Sequence, residues 1–136
     1  MVEMTLELAE QAVRAAQARA KELGSPMTVT VVDEGGRLVL CARGDGTGFF
    51  TPETSKAKAV AAAAFKRSTT ELAEVAAKGS AFWKTVPVIL DGQALPTPGG
   101  APLVRAGRVI GGIGCGGGTG EQDQQCADAA VAALNR

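Results

Sequence analysis

Between Ala57 and Phe65 every residue except Lys58 is apolar, so a helix over this stretch is buried nearly all round. A lysine placed there has three options: its stem snorkels to water, it joins a structural ion pair, or it sets its ammonium in a polar cavity. In the third case a desolvated amine can serve as general base, Schiff-base amine or anchor for a carboxylate. Ser55 precedes Lys58 by about one helical turn and is expected to line the same pocket. A second candidate surface is the run Gly116-Gly117-Gly118-Thr119. A glycine turn that feeds a helix N-terminus exposes backbone N–H groups to an anion, and the helix dipole favours it. The competing reading is that glycines let this strand pack closely against a helix or a second subunit. Glu121 and Asp123 follow in the first helical turn, where a carboxylate complements the dipole or, facing a cavity, works as general acid/base or cation ligand. Cys115, just before the turn, is either a thiolate that a helix N-terminus activates or a small buried hydrophobe.

Other chemistries are excluded by what is missing. The 136 residues contain no histidine and no tyrosine, which removes Ser-His-Asp and Cys-His pairs, histidine metal sites and the commonest haem ligand. Lys+Arg 14 balance Asp+Glu 14 and aromatic residues make up 4%, so neither a phosphate-seeking surface nor a base-stacking platform is expected. Nucleic acid is therefore not an expected partner. Cys41, Cys115 and Cys126 are odd in number and lack CxxC spacing, which argues against a disulfide framework and a structural zinc site. Charges at Glu3, Glu7, Glu10, Arg14 and Arg19 break up the start of the chain, which reads as neither signal peptide nor membrane span. A cytoplasmic protein without metal is expected. Gly112-Ile113-Gly114-Cys115-Gly116-Gly117 matches G-x-G-x-x-G, but it lies on the last strand with one helix to follow, where a dinucleotide fingerprint belongs to the first strand.

The elements that must hold these residues follow from periodicity and punctuation. Thr5 caps a first amphipathic helix that ends at Leu23 before Gly24 and Pro26. Met27 to Val32 and Leu38 to Ala42 form a hairpin across Asp33-Glu34-Gly35-Gly36-Arg37. Thr51, as N-cap before Pro52, opens a second helix to about Phe65, and Ser68-Thr69-Thr70-Glu71 opens a third to about Ala77. Trp83 falls in the exit loop, and Val86 to Leu90 reads as an edge strand because of Pro87. Ala101 to Ala106 and Arg108 to Cys115 are two more strands about Gly107, and Thr119-Gly120-Glu121-Gln122 boxes in a last helix. The expectation is one α+β domain over residues 1–136, a mainly antiparallel sheet flanked by helices in the order α-β-β-α-α-β-β-β-α. The few aromatics, Phe49, Phe50, Phe82 and Trp83, gather in loops, where they wall a pocket or cover a subunit interface.

Several blocks stand out together: Val31-Val32-Asp33-Glu34-Gly35-Gly36-Arg37-Leu38, Ala42 to Gly46, Ser55-Lys56-Ala57-Lys58-Ala59 leading to Ala64 through Thr69, Pro98-Gly99-Gly100-Ala101-Pro102-Leu103, and Gly116 to Asp123. Taken together they resemble the GlcG/HbpS family of haem-binding and haem-degrading-type domains, also found at the C-terminus of PduO-type proteins. The resemblance is nearly full-length. It implies helices on an antiparallel sheet, assembly into dimers or larger symmetric oligomers, and a ligand cavity near a subunit interface. Lys58 falls on the family's Gly-Lys-Ala-like helix position, and Glu121 and Asp123 on its Thr-x-Glu-Gln-Asp block. Haem is the cofactor that the resemblance implies. With no histidine, only Cys41, Cys115, Cys126, a methionine such as Met27, or a lysine could ligate its iron, and the cofactor is left open.

The leading expectation is a homo-oligomeric protein that binds a small carboxylated metabolite between the glycine turn and the Lys58 helix. Ser55, Gly99, Gly100, Cys115, Gly116, Gly117, Gly118 and Thr119 are its expected ligand-binding residues. The rival is a cofactor-independent enzyme on a similar molecule, a tautomerase, isomerase, lyase or imine hydrolase, with Lys58 and Glu121 or Asp123 as catalytic residues. A third reading is haem binding through a ligand other than histidine.

Overall fold

The computed structural model describes residues 3–135; Met1, Val2 and Arg136, the ends of the expected 1–136 span, lie outside them. Nine elements follow one another: α1 (Leu6–Leu23), β1 (Thr28–Asp33), β2 (Leu38–Ala42), α2 (Thr51–Phe65), α3 (Thr69–Ala77), α4 (Ala81–Ile89), β3 (Gly100–Arg105), β4 (Arg108–Gly116) and α5 (Gly120–Leu134). The four strands form one antiparallel sheet in the order β2-β1-β4-β3. This is the α+β layering that the hairpin pattern implies.

Alternation along the two central strands sorts the layers. Val29 and Val31 of β1 and Ile113 and Cys115 of β4 join one core with Ala9, Ala12 and Ala16 of α1 and Cys126, Ala127 and Ala130 of α5. Thr28, Thr30 and Val32 point the other way, to α2: Thr28 Oγ1 lies 2.8 Å from Thr51 Oγ1, Thr30 Oγ1 lies 2.7 Å from Ser55 Oγ, and Val32 packs on Ala59 and Ala63. On β4 the residues facing α2 are glycines. A Cβ at Gly112 would strike the carbonyl oxygen of Ala59, and one at Gly114 that of Ser55. The α2 backbone thus lies directly on the sheet, which is why its buried face is alanine and serine.

Local signals explain the ends of most elements. Thr5 accepts from Leu8 N at 3.1 Å and Gly24 closes α1 at φ 67°. The first hairpin turn is held by Asp33, whose Oδ1 accepts from the amides of Gly35 and Arg37, both at 2.9 Å. At α5 both halves of the capping box are made, Thr119 accepting from Gln122 N and Gln122 from Thr119 N.

Three expectations are corrected. Val86–Leu90 is not an edge strand: Val86 to Ile89 end α4 and Leu90 is its C-cap, so the order is α-β-β-α-α-α-β-β-α, and Trp83 lies on that helix rather than in a loop. Ser80 caps α4 by accepting from Trp83 N, and Pro87 lies inside the helix, where it has no N–H to give the Trp83 carbonyl. A short apolar run with one proline cannot be told from a strand by periodicity, and no strand of the sheet offers it a partner. Thr51 is the first residue of α2 rather than its cap. The cap is Phe50, and the Thr51 hydroxyl turns inward to donate to Gly48 O at 2.8 Å.

Candidate functional site

The glycine ladder that seats α2 on β4 has a third rung, Gly116, and there the helix backbone no longer touches the sheet. A Cβ at Gly116 would find only two side-chain atoms, Thr54 Oγ1 at 3.6 Å and Lys58 Nζ at 3.9 Å. The gap is a cleft of about 330 Å³ lined by α2 residues Thr51, Thr54 and Lys58, by the turn Gly116-Gly117-Gly118 with Asp123, and by Gly48, Phe50, Leu95 and Thr97 from two loops. Thr54 and Lys58 share a face because they are four residues apart on a helix.

Lys58 neither snorkels nor stands alone. Its ammonium donates to Asp123 Oδ2 at 3.1 Å and to Cys115 O at 2.9 Å, and the two paired side chains are 8% and 6% exposed. Asp123 Oδ1 accepts from Gly118 N at 2.9 Å. The convergence of an ammonium and a glycine-turn amide on one carboxylate, expected for a bound anion, is thus satisfied by the chain's own Asp123. Burial pushes the Asp123 carboxyl above its usual range, against the opposing pull of Lys58 and the Gly118 amide. An ammonium has three hydrogens, and among the described residues Lys58 donates to these two oxygens, which leaves one N–H unused on a side chain that lines the cleft.

The surrounding loop is locked over this pair. Gly99, at φ 126°, has no room for a side chain, since a Cβ would lie 2.9 Å from both Lys58 Nζ and Asp123 Cβ. Its N–H donates to Gln124 Oε1 at 2.8 Å, and its carbonyl accepts from Cys115 N at 2.8 Å. The Gly100 amide donates to Thr69 Oγ1 at 2.6 Å, and its carbonyl accepts from Gln124 Nε2 at 3.0 Å.

The sequence-expected residues therefore divide. Lys58, Asp123, Gly116, Gly117 and Gly118 meet at the cleft. Gly99 and Gly100 brace it from behind, and Thr119 caps α5 beside it. Ser55 does not line it: its hydroxyl bonds to Thr30 beneath α2, and the wall position falls to Thr54. Glu121 is exposed and borders a different hollow with Thr70, Pro98 and Gln124. Cys115 contributes its carbonyl, while its side chain belongs to the core and burial holds the thiol well above its ordinary range. Thr54, Thr97 and Leu95 were not foreseen, although the four-residue step from Thr54 to Lys58 carried the signal for the first. Among the described residues no group of three His, Cys, Asp or Glu side chains is placed to hold a metal ion. Of the aromatics expected in loops, Phe50 walls the cleft beside Phe49, which is 89% exposed, while Phe82 and Trp83 lie on α4 and pack edge-on and tilted against Phe65.

Comparison with known proteins agrees with this architecture. The family model described as haem degrading protein HbpS-like matches residues 4–132. The corrinoid adenosyltransferase PduO of Salmonella typhimurium is 37% identical over 125 residues, covering 92% of this chain but 37% of that protein. The chain thus spans little more than a third of that relative's length. The crystal structure of a PduOC–haem complex has a TM-score of 0.88 at 35% identity, covering 98% of this chain and 96% of the other. That of HbpS has a TM-score of 0.88 at 34% identity, over 100% of this chain and 93% of the other. With the family's sequence pattern running through nearly every element and the same fold recurring in these relatives, the chain belongs to the haem degrading protein HbpS-like family.

Proposed function

We propose that this chain is a small-ligand-binding protein whose cleft takes a compact organic carboxylate, its charged end received by the ammonium of Lys58. The observation that carries this reading is the remaining N–H of a lysine 92% buried in its side chain, at the floor of a cleft walled on one side by Phe50 and Leu95. Titration calorimetry with pyruvate, lactate, succinate and benzoate tests it. At least one should bind saturably, and Lys58→Met should weaken that binding tenfold or more. Equal affinity for wild type and Lys58→Met would overturn the assignment, as would silence toward all four.

An enzyme on the same class of molecule is the second reading, favoured by one specific feature: an amine and a carboxyl whose protonation burial favours stand 3.1 Å apart at the cleft. Glu121 takes no part in it. Exchange of the ligand's α-hydrogen for solvent deuterium, abolished by Asp123→Asn, would support turnover, and a ligand that binds without exchange excludes this proton transfer.

The family name and the PduOC–haem complex bring haem into consideration. The residues present do not fit it in this cleft. Its lining holds no histidine, cysteine, methionine or tyrosine, and Lys58 is engaged by Asp123. Cys115, Cys126 and Met27 are 0%, 0% and 1% exposed within the core, and Cys41 borders a separate hollow with Leu38 and Pro52. We assign no axial ligand. A haemin titration with Cys41→Ala beside wild type checks this: a stoichiometric Soret band lost in the variant would reinstate haem.

Homo-oligomerisation belongs to the same proposal. Phe49, Val88 and Ile89 are 89%, 77% and 72% exposed, and Phe49 packs edge-on against Phe50 of the cleft wall, apolar surface that a second copy of the chain would cover. Mass photometry should return a multiple of 13.7 kDa. A cytoplasmic location agrees with three free cysteines, two of them buried. No helix of the described residues is long and apolar enough to cross a membrane.

A further inference from the structure

Gly116 is the one rung of the glycine ladder that packing does not require. At Gly112 and Gly114 a Cβ would collide with α2 carbonyls; at Gly111 it would collide with the carbonyl of Val32. Gly117 has φ 137° and would strike Pro26 O, and a Cβ at Gly118 would lie 2.6 Å from Gln122 Oε1. Gly116 has neither a positive φ nor a close neighbour: its added Cβ meets Thr54 Oγ1 at 3.6 Å and Lys58 Nζ at 3.9 Å, ordinary contact distances. It pairs with Thr28 in regular antiparallel register, where a β-former would serve the sheet better than glycine. A bare Cα in a buried strand, aimed into a cleft between two hydrogen-bonding groups, leaves room for something other than the chain.

We propose that Gly116 is the point of closest ligand approach, and that a ligand carboxylate lies against its Cα with one oxygen on Lys58 Nζ and the other on Thr54 Oγ1. This deepens the carboxylate reading given above and rests on it. Lys58 supplies its free N–H. Among the described residues the Thr54 hydroxyl is held only by a 3.4 Å contact to Thr51 O, so turning it to a charged acceptor gives up little. Two donors flanking one point select a planar two-oxygen acceptor over a single hydroxyl or an amine. The missing Cβ sets the size limit: the first atoms of the ligand must be flat where they pass Gly116, so a carboxylate on an unbranched or sp² carbon is preferred over one on a quaternary carbon.

Gly116→Ala and Thr54→Val, each compared with wild type by calorimetry and thermal unfolding, test this. The probes are pyruvate and the branched pivalate. The alanine methyl fits the apo protein, so Gly116→Ala should melt within a few degrees of wild type yet bind pyruvate at least tenfold more weakly. Thr54→Val, which replaces a hydroxyl by a methyl of the same size, should lose about tenfold while folding normally. Wild type should prefer pyruvate to pivalate. If wild type binds pyruvate and Lys58→Met loses it while Gly116→Ala and Thr54→Val retain it, the cleft reading stands and this placement falls. If pivalate binds as well as pyruvate, the size limit is wrong. If wild type binds no carboxylate, both readings fall together. Should Gly116→Ala not fold, the claim that packing leaves this position free is refuted, and Thr54→Val alone decides the second donor.

Discussion

Lys58 and Asp123, 65 residues apart in the chain, are joined by a buried 3.1 Å ion pair that lines the cleft. It ties the helix on one face of the sheet to the first turn of the helix on the other, across the end of β4, whose Cys115 carbonyl takes a second hydrogen from the same ammonium. Four predictions follow from this pair and the backbone around it, beside the binding experiments already described.

Breaking one side of a buried pair leaves an uncompensated charge. Lys58→Met and Asp123→Leu should each destabilise the protein by about 3–5 kcal/mol. In the double variant neither charge remains, so its loss should fall short of the sum of the two by about 2 kcal/mol. Urea unfolding of the four proteins measures this directly, and strict additivity would mean that the pair is not coupled.

Acid should strengthen this part of the molecule rather than weaken it. Burial, the largest influence on Asp123, raises its folded-state value above the unfolded 3.8, so the native protein binds the proton more tightly than the unfolded chain. Its favourable contribution is complete below pH 3.8 and is lost as the pH rises through the raised folded value. Asp33 runs the other way. Burial raises it, but the Arg37 amide and guanidinium together with the Gly35 amide outweigh that and hold it below 3.8, so its contribution is present above 3.8 and lost as pH falls through the lowered value. Comparing the pH dependence of stability in wild type, Asp123→Asn and Asp33→Asn separates the two. Protonating Asp123 also frees Lys58, so carboxylate affinity should rise as the pH is lowered toward that window.

The glycines of β4 should differ sharply under the same substitution. Gly114→Ala sets a methyl against the Ser55 carbonyl with backbone on both sides, and Gly112→Ala does so against Ala59. Each should cost about 3 kcal/mol or more. Gly116→Ala should stay within about 1 kcal/mol of wild type, by circular dichroism melts of all three.

Thiol reactivity should report the burial of the cysteines. Burial raises Cys115 well above 9.0 and Cys126 to about 11, whereas Cys41 is only half buried. In native protein at pH 8 a chromogenic disulfide should therefore react with one thiol per chain and lose that signal in Cys41→Ala. Rapid reaction of two or more would contradict the packing of Cys115 and Cys126 against α1 and α5.

Much of the candidate site was within reach of helical arithmetic. Asp123, Cys126, Ala127, Ala130 and Leu134 fall on one face of α5, and all five are buried. Glu121, two residues before Asp123, is turned about 200° away, so the same count selects between the two carboxylates. Thr54 and Lys58, four residues apart on α2, share a face by the same count. Ser55 instead shares the sheet-facing side with Ala59, which no property of a serine announces.

By itself, the sequence determined the hairpins, the caps at Thr5, Ser68 and Thr119, the absence of histidine chemistry and the anomaly of Lys58. These depend on residues a few positions apart, whose turn geometry and hydrogen bonds are local. Tertiary structure alone decided that Lys58 meets Asp123, that Val86 to Ile89 continue a helix, and that Gly112 and Gly114 seat α2 while Gly116 opens a cleft. Each of these depends on where an α2 backbone, a sheet edge or a distant helix start comes to lie. Three glycines identical in type and alternating in register differ only in what the fold sets above them.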